Sequence, residues 1–290
     1  MEKFYEGLIF SWRDGSSYHL ELKREDVVRY IINAGSPRRI EILYTLLEDA
    51  KIHTPRRGLK WVRGTHDGVD ILGFTSGMGV GSMGITLAEV MALSLETNDK
   101  IHIIRVGTSG PFQKFIPPYS VIIPTAVVRD ESVSNKIIYS EYPADMDPVI
   151  YLSLTKASLK KGLRLGTNLF LGKTHSKDDL YFYEGYHNSP IGEEHYKKFK
   201  AYKDMGVLAT EMEASLLPVY RDYFNKLASE KGLGTRYYVG GIFTTLKSPM
   251  DKEELDNVER RLIEITLDGI HIIDRFWEGE ESLDDILRNI

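Results

Sequence analysis

The chain has 290 residues, 42% of them hydrophobic and 27% charged, the balance of an ordinary soluble globular protein. Its net charge of −5 excludes the basic footprint of a nucleic-acid-binding surface, and no apolar run reaches the ~20 residues of a membrane span. Cysteine is absent, which rules out disulfides, thiol catalysis and zinc–thiolate sites. The opening Met-Glu-Lys-Phe-Tyr-Glu lacks the basic-then-apolar layout of a signal peptide, so a cytoplasmic protein with no membrane partner is expected.

Residues 1–17 form an aromatic and polar lead-in without periodicity. Tyr18-His19-Leu20-Glu21-Leu22 then alternates, which predicts a short edge strand or extended arm carrying His19. A first core strand is expected over 27–32, ending in Gly35-Ser36-Pro37-Arg38-Arg39. Ser36 is a good N-cap and Pro37 suits the first helical turn, while Ile40, Leu43, Leu46 and Leu47 are spaced for one helix face. Arg38 and Arg39 place positive charge where the helix macrodipole is already positive. Either they are solvated there, or a bound anion relieves the conflict.

A hairpin follows, with strands near 59–65 and 69–75 joined at Asp67-Gly68. Thr75 to Gly84 is a glycine-rich strand-to-helix turn, opening a helix through about Glu96. Gly79, Gly81 and Gly84 formally fit G-x-G-x-x-G. The next strand, however, ends in Arg105-Val106-Gly107 without the acid that would hold a dinucleotide's ribose, which weighs against that site.

The run 101–106 reads as a buried α/β-type strand that breaks at once into a turn with Gly107, Thr108, Ser109 and Gly110. An arginine closing an apolar strand is costly unless it meets an acceptor. Arg105 therefore caps a neighbouring carbonyl or, with the hydroxyls and glycine-freed N–H groups beside it, holds an oxyanion such as phosphate.

Further strands are expected over 121–128, 169–171 and 237–243, with helices over 147–161 and 252–277. The polar, aromatic stretch 172–195 reads as a binding wall rather than a linker. Within 206–215, Glu211 and Glu213 lie in an apolar segment. Buried carboxylates need donors there, and a sugar diol supplies two; the alternative is an exposed helix N-terminus. An acidic tail, 278–290, ends the chain, and without repeat or linker one domain over 1–290 is the economical organisation.

In this order, Tyr18-His19-Leu20, Gly35 to Arg39, Arg57-Gly58, Gly77-Met78-Gly79 to Ser82, Arg105-Val106-Gly107-Thr108, Glu141-Tyr142-Pro143-Ala144 and Glu211-Met212-Glu213 resemble the hexameric nucleoside phosphorylase family, most closely its uridine phosphorylase branch. The resemblance spans roughly 18–275. It implies an α/β domain with a central mixed, partly barrel-like sheet flanked by helices. It implies phosphorolysis of a ribonucleoside, uridine first and a purine nucleoside second, to free base and ribose 1-phosphate.

It further implies a phosphate site from the Gly35 backbone, Arg39, Arg105 and Thr108, with Arg57 reaching across from a neighbouring subunit of a hexamer built as a trimer of dimers. Ribose would meet Glu211, Met212 and Glu213, with a neighbour's His19 near the 5′-hydroxyl. Arg105, Glu213 and His19 would be the catalytic set. Leu180, Tyr183, Asn188, Ile242, Phe243 and Thr245 would flank the base. Inorganic phosphate enters as co-substrate; no cofactor or metal is implied.

The chain departs from the family pattern at several points. Ser36 stands where an acid is usual, and Gly58 replaces a glutamate that helps hold a monovalent cation in some members, so no such ion is expected. Thr244 takes the place of the purine branch's catalytic aspartate. No Gln or Arg lies in 180–190 to clasp uracil, which leaves Tyr183 or Tyr186 and Asn188 as the aligned candidates. A hydrolase of the same fold, using water, has no need of Arg39, Arg57 and Arg105. A non-catalytic nucleoside-binding protein would keep the pocket without turnover.

Overall fold

In the computed structural model, residues 7–288 and Ile290 are described; the start of the lead-in and Asn289 of the acidic tail lie outside them. The β-branched run Tyr30–Ala34 forms β1, wholly buried and parallel to both β4 (Val69–Thr75) and β5 (Lys100–Pro111). β3 (Trp61–His66) makes the expected hairpin with β4 across Asp67-Gly68, and β2 (Glu48–His53) adds an exposed antiparallel edge. On the other side, β5 pairs in parallel with β9 (Arg236–Thr245). β9 meets β6 (Val121–Asp130), β6 meets β7 (Leu169–Lys177), and β7 meets β8 (Ala209–Glu211), which returns to the end of β5. The mixed sheet thus closes on itself through five strands and leaves β1, β4, β3 and β2 as an open wing. This is the partly barrel-like α/β domain expected.

Helices cover both faces. α1 (Pro37–Tyr44), α3 (Pro148–Lys160), α6 (Lys252–Trp277) and the short α7 (Leu283–Leu287) gather on one side around Ile40, Leu43, Leu154 and Ile263. α2 (Val80–Ser94) and α5 (Leu216–Glu230) pack on the other around Met83, Leu87, Leu217 and Phe224. α4 (Gly192–Asp204) buries no residue fully and follows the 178–191 loop.

Three expectations need correction. β5 does not break at Val106 but runs to Pro111. Gly107 is there for close approach: a Cβ at this position would stand 2.7 Å from Cδ1 of Phe243 on the paired strand. Tyr18–Leu20 is a turn, not a strand, because the buried carboxylate of Glu89 on α2 accepts the backbone N–H groups of His19 and Leu20, both at 2.9 Å. The segment 172–195 is only partly irregular: β7 continues to Lys177, and α4 begins at Gly192. Among the described residues, no helix is long and apolar enough to cross a membrane.

Candidate active site

Two turns and one strand border an open cavity of about 1860 Å³: the turns around Gly35 to Arg39 after β1 and Thr75 to Met78 after β4, and the last residues of β5 from Thr108 into Phe112. At the first, Ser36 caps α1, its Oγ accepting from Arg38 N–H at 3.2 Å with Pro37 opening the helix. The two arginines of that turn then part. Arg38 faces solvent and pairs with Asp256 at 2.6 Å, whereas Arg39 is buried against the cavity.

Arg39 donates through Nε to Glu259 at 2.7 Å and through its terminal nitrogens to the Val106 carbonyl at 3.2 Å and Thr108 Oγ1 at 3.5 Å. Burial pushes its pKa below the usual arginine value, and the Glu259 carboxylate is the main force opposing that. Arg105 is equally buried; it donates to Asn33 Oδ1 at 2.7 Å and Ser76 Oγ at 3.2 Å, and it pairs with Glu213. Its Nε makes no hydrogen bond among the described residues and lies 3.9 Å from the Glu211 carboxylate. Gly35 lies against both guanidinium groups: a Cβ there would stand 3.4 Å from one terminal nitrogen of Arg105 and 3.9 Å from one of Arg39. The two cations, the Gly35 backbone and the Thr108 hydroxyl therefore share one corner, suited to an oxyanion.

The carboxylates enter from the β8 end. Glu211 is fully enclosed; it accepts the backbone N–H groups of Glu213 and Ala214, both at 2.8 Å, and the hydroxyl of Ser176. Burial, reinforced by the nearby Glu213 carboxylate, pushes its pKa up. Glu211 thus holds the 211–214 turn in shape, and Glu213 is the one presented beside Arg105. Its Oε1 accepts Gly79 N–H at 2.6 Å; Gly79 has φ +82°, which a side chain would strain. Met212, half-buried, lines the cavity between them.

The other named residues divide. Arg57 is exposed on the rim of its own chain's cavity, 5.6 Å from the Tyr18 ring. His19 lies outside the lining, its Nδ1 2.7 Å from Glu89. Leu180, Tyr183 and Asn188 line the cavity, with Phe182 and Tyr186 beside them. The Tyr183 hydroxyl, however, is taken by Asp130. Ile242, Phe243 and Thr245, proposed to flank the base, are not in the lining: all three are fully buried, and Thr245 Oγ1 donates to the Pro117 carbonyl at 2.9 Å. β9 alternates across the barrel wall, and these side chains serve the core.

Two features escape the sequence reading. Glu89, which seats His19, sits mid-helix in an apolar segment that gives no hint of a partner seventy positions away. Lys177, fully buried at the end of β7, lines the cavity and pairs with Glu184. Far from the cavity, His66, Asp67 and His271 cluster with metal-ligand spacing, but the two imidazoles already satisfy one another at 2.8 Å.

Residues 29–218 match the phosphorylase superfamily. Curated relatives include a uridine phosphorylase of Thermococcus kodakarensis, 31% identical over 64% of this chain and 64% of its own. Another is a uridine phosphorylase of Treponema pallidum, 30% identical over 69% of this chain and 74% of its own. A DeoD-type purine nucleoside phosphorylase of Listeria monocytogenes is 29% identical over 69% and 78%. The match spans just under two thirds of the Thermococcus protein's length. With Arg39, Arg105 and Glu213 all inside the matched region, the chain belongs to the phosphorylase superfamily.

Proposed function

We propose that the protein is a nucleoside phosphorylase that cleaves a ribonucleoside with inorganic phosphate, uridine first and a 6-oxopurine nucleoside second. One observation carries the reading: Arg39, Arg105, Thr108 and Gly35 meet in the same corner as Glu213 and Met212. A phosphate oxygen held there attacks the anomeric carbon as the bond to the base nitrogen breaks. The base leaves with the electron pair and later takes a proton. Arginines hold the dianion, and Glu213 accepts from ribose hydroxyls, so positioning and charge stabilisation do most of the work.

The choice of base stands on less. Relatives named for uridine and for purine nucleosides are similar to the chain at nearly equal identity. Thr244, in place of an aspartate that would protonate a purine, favours uridine. The reading includes a homohexamer in which a neighbour's His19 completes the site, supported by the position of His19 outside its own chain's cavity. The test is a panel of nucleosides with and without phosphate, followed by free-base release. Equal turnover without phosphate sinks the reading in favour of a hydrolase.

A further inference from the structure

A lysine buried at the wall of a ligand cavity is rare, because its ammonium must be paired and hydrogen-bonded to be held there. Lys177 is 1% exposed. Its Nζ donates to Thr210 Oγ1 at 2.9 Å and pairs with Glu184 Oε1 at 2.7 Å, and all three residues line the cavity. An ammonium has three donors, and these two partners leave one for a ligand.

The partners behind it fix its direction. Asp130 accepts from the Tyr183 hydroxyl and from Lys198 at 2.6 Å, so it acts as a carboxylate acceptor towards His175 Nε2 at 3.2 Å. His175 Nε2 therefore carries the proton, and its Nδ1 must accept from the Thr210 hydroxyl at 2.9 Å. With its hydrogen committed to His175, Thr210 offers only lone pairs to Lys177. The chain of bonds from Asp130 to Lys177 has one consistent polarity, and it leaves the ammonium as a donor facing the cavity.

Glu184 sits opposite, on the 178–191 loop. Its Oε1 is 4.0 Å from where a Cβ on Gly110 would stand, and Thr210 Cγ2 is 3.5 Å from that point. Gly110 thus keeps open a space edged by one fixed donor and one carboxylate acceptor. A donor beside an acceptor matches an oxo-imide edge, a carbonyl oxygen next to a ring N–H. Uracil and the 6-oxopurines share that edge. The leaving base also gathers negative charge on its carbonyl oxygens, where a buried cation stabilises it.

We propose that Lys177 and Glu184 read the base, Lys177 donating to a ring carbonyl and Glu184 accepting the adjacent ring N–H. This rests on the nucleoside reading of the site and names specificity residues for it. The pair replaces the Gln and Arg that the sequence lacks, and Lys177 also acts on the leaving group.

The test measures binding of free uracil, 3-methyluracil, hypoxanthine and 1-methylhypoxanthine by calorimetry to wild type, Lys177→Met and Glu184→Gln. Methylation replaces that ring N–H with N-methyl, removing the donor and adding bulk; Glu184→Gln separates the two, because it changes the acceptor and not the space. Wild type should prefer one unmethylated base to its methylated form by at least about tenfold, the cost of losing one hydrogen bond to a charged acceptor. Which base shows that preference separates uracil from hypoxanthine. Glu184→Gln can still accept from Lys177 and so keeps the loop tethered. It turns an N–H towards the base, and the preference for the unmethylated form should collapse. Lys177→Met should weaken both forms alike. A lysine serving only to hold the loop would leave the methyl discrimination unchanged in Glu184→Gln, and that result overturns the proposal. So does a wild type that binds no base. Phosphate-dependent turnover, measured in parallel, decides the phosphorylase reading separately.

Discussion

Replacing Arg105 with methionine removes the cation that Glu213 and Glu211 share, at 3.9 Å for the latter, while keeping an unbranched chain in place of the arginine's stem. The carboxylates are 6% and 4% exposed and are reached by water only through the cavity they line, so water replaces little of the guanidinium's pairing. Breaking such a buried pair costs about 3–5 kcal/mol. A second route bounds the same quantity. The two carboxylates can share one proton, and protonating a carboxyl of ordinary pKa costs about 1.36 kcal/mol per pH unit above about 4.3. That gives about 4 kcal/mol near pH 7.3 and about 1.4 kcal/mol near pH 5.3.

The sign follows from proton counts. The folded variant holds a proton that the unfolded chain releases above about pH 4.3, so its stability falls as pH rises. Arg105→Met should therefore be destabilised by about 4 kcal/mol near neutrality and by some 2–3 kcal/mol less two pH units lower, read by denaturant unfolding against wild type. In phosphate-dependent base release it should lose about 2–4 kcal/mol of transition-state stabilisation, about 30- to 1000-fold in kcat/KM. A destabilisation that does not change with pH refutes the shared-proton reasoning. Undiminished turnover refutes the role of Arg105 at the anion corner.

His102 is buried between the rings of Tyr30 and Tyr238 with neither nitrogen partnered among the described residues, and burial lowers its pKa to about 3. The unfolded chain takes up its proton below about pH 6.5 and the folded one does not, so His102→Leu should flatten the acid limb of the stability curve, gaining about 2.7 kcal/mol at pH 4.5 relative to its neutral-pH effect. Gly240→Ala on β9 puts a Cβ 2.3 Å from Ile150 Cγ2 of α3 and should cost about 1–3 kcal/mol in thermal unfolding; an unchanged melting temperature contradicts the close packing. Sedimentation should show a closed homo-oligomer, and an active species near the monomer mass of 33.1 kDa rules out a site completed by a neighbour.

What the sequence makes legible is what local patterning controls. α6 starts and stops where its amphipathic period does, capped by Asp251, and the Asp67-Gly68 turn places its hairpin. β2 stays hidden because Glu48–His53 is apolar only at Ala50 and Ile52 and exposed everywhere but half-buried Ala50, stabilised by pairing to β3 rather than by a buried face. α4 hides because none of its residues is fully buried, so no continuous apolar stripe marks it. Glycine misleads at Gly107, where it marks a packed ring and not a turn. In the site, Arg39 in the first turn of α1 and Arg105 within the apolar run of β5 announce themselves because a buried guanidinium demands an acceptor. Lys177 does not, since its partner Glu184 lies in a loop with no period and its burial depends on strands that meet only when the barrel closes.

The corner works as one electrostatic unit. Arg39 is held by Glu259, which lies behind it on α6 and stays in place whatever enters the cavity. Arg105 is held by Asn33 and Ser76 from behind but by Glu213 from the cavity side. On the proposed reading, a phosphate dianion arriving at the two arginines would compete with Glu213 for Arg105. A ribose diol arriving at Glu213 supplies the donors that Arg105 then gives up. Each ligand thereby lowers the cost of the other's entry, and neither leaves a buried charge unmatched. Gly79, donating to Glu213 from the N-terminus of α2, keeps the carboxylate in register throughout. Under that proposal the same side-chain pair sets the positions of nucleophile and sugar, the arrangement an in-line attack on the anomeric carbon requires.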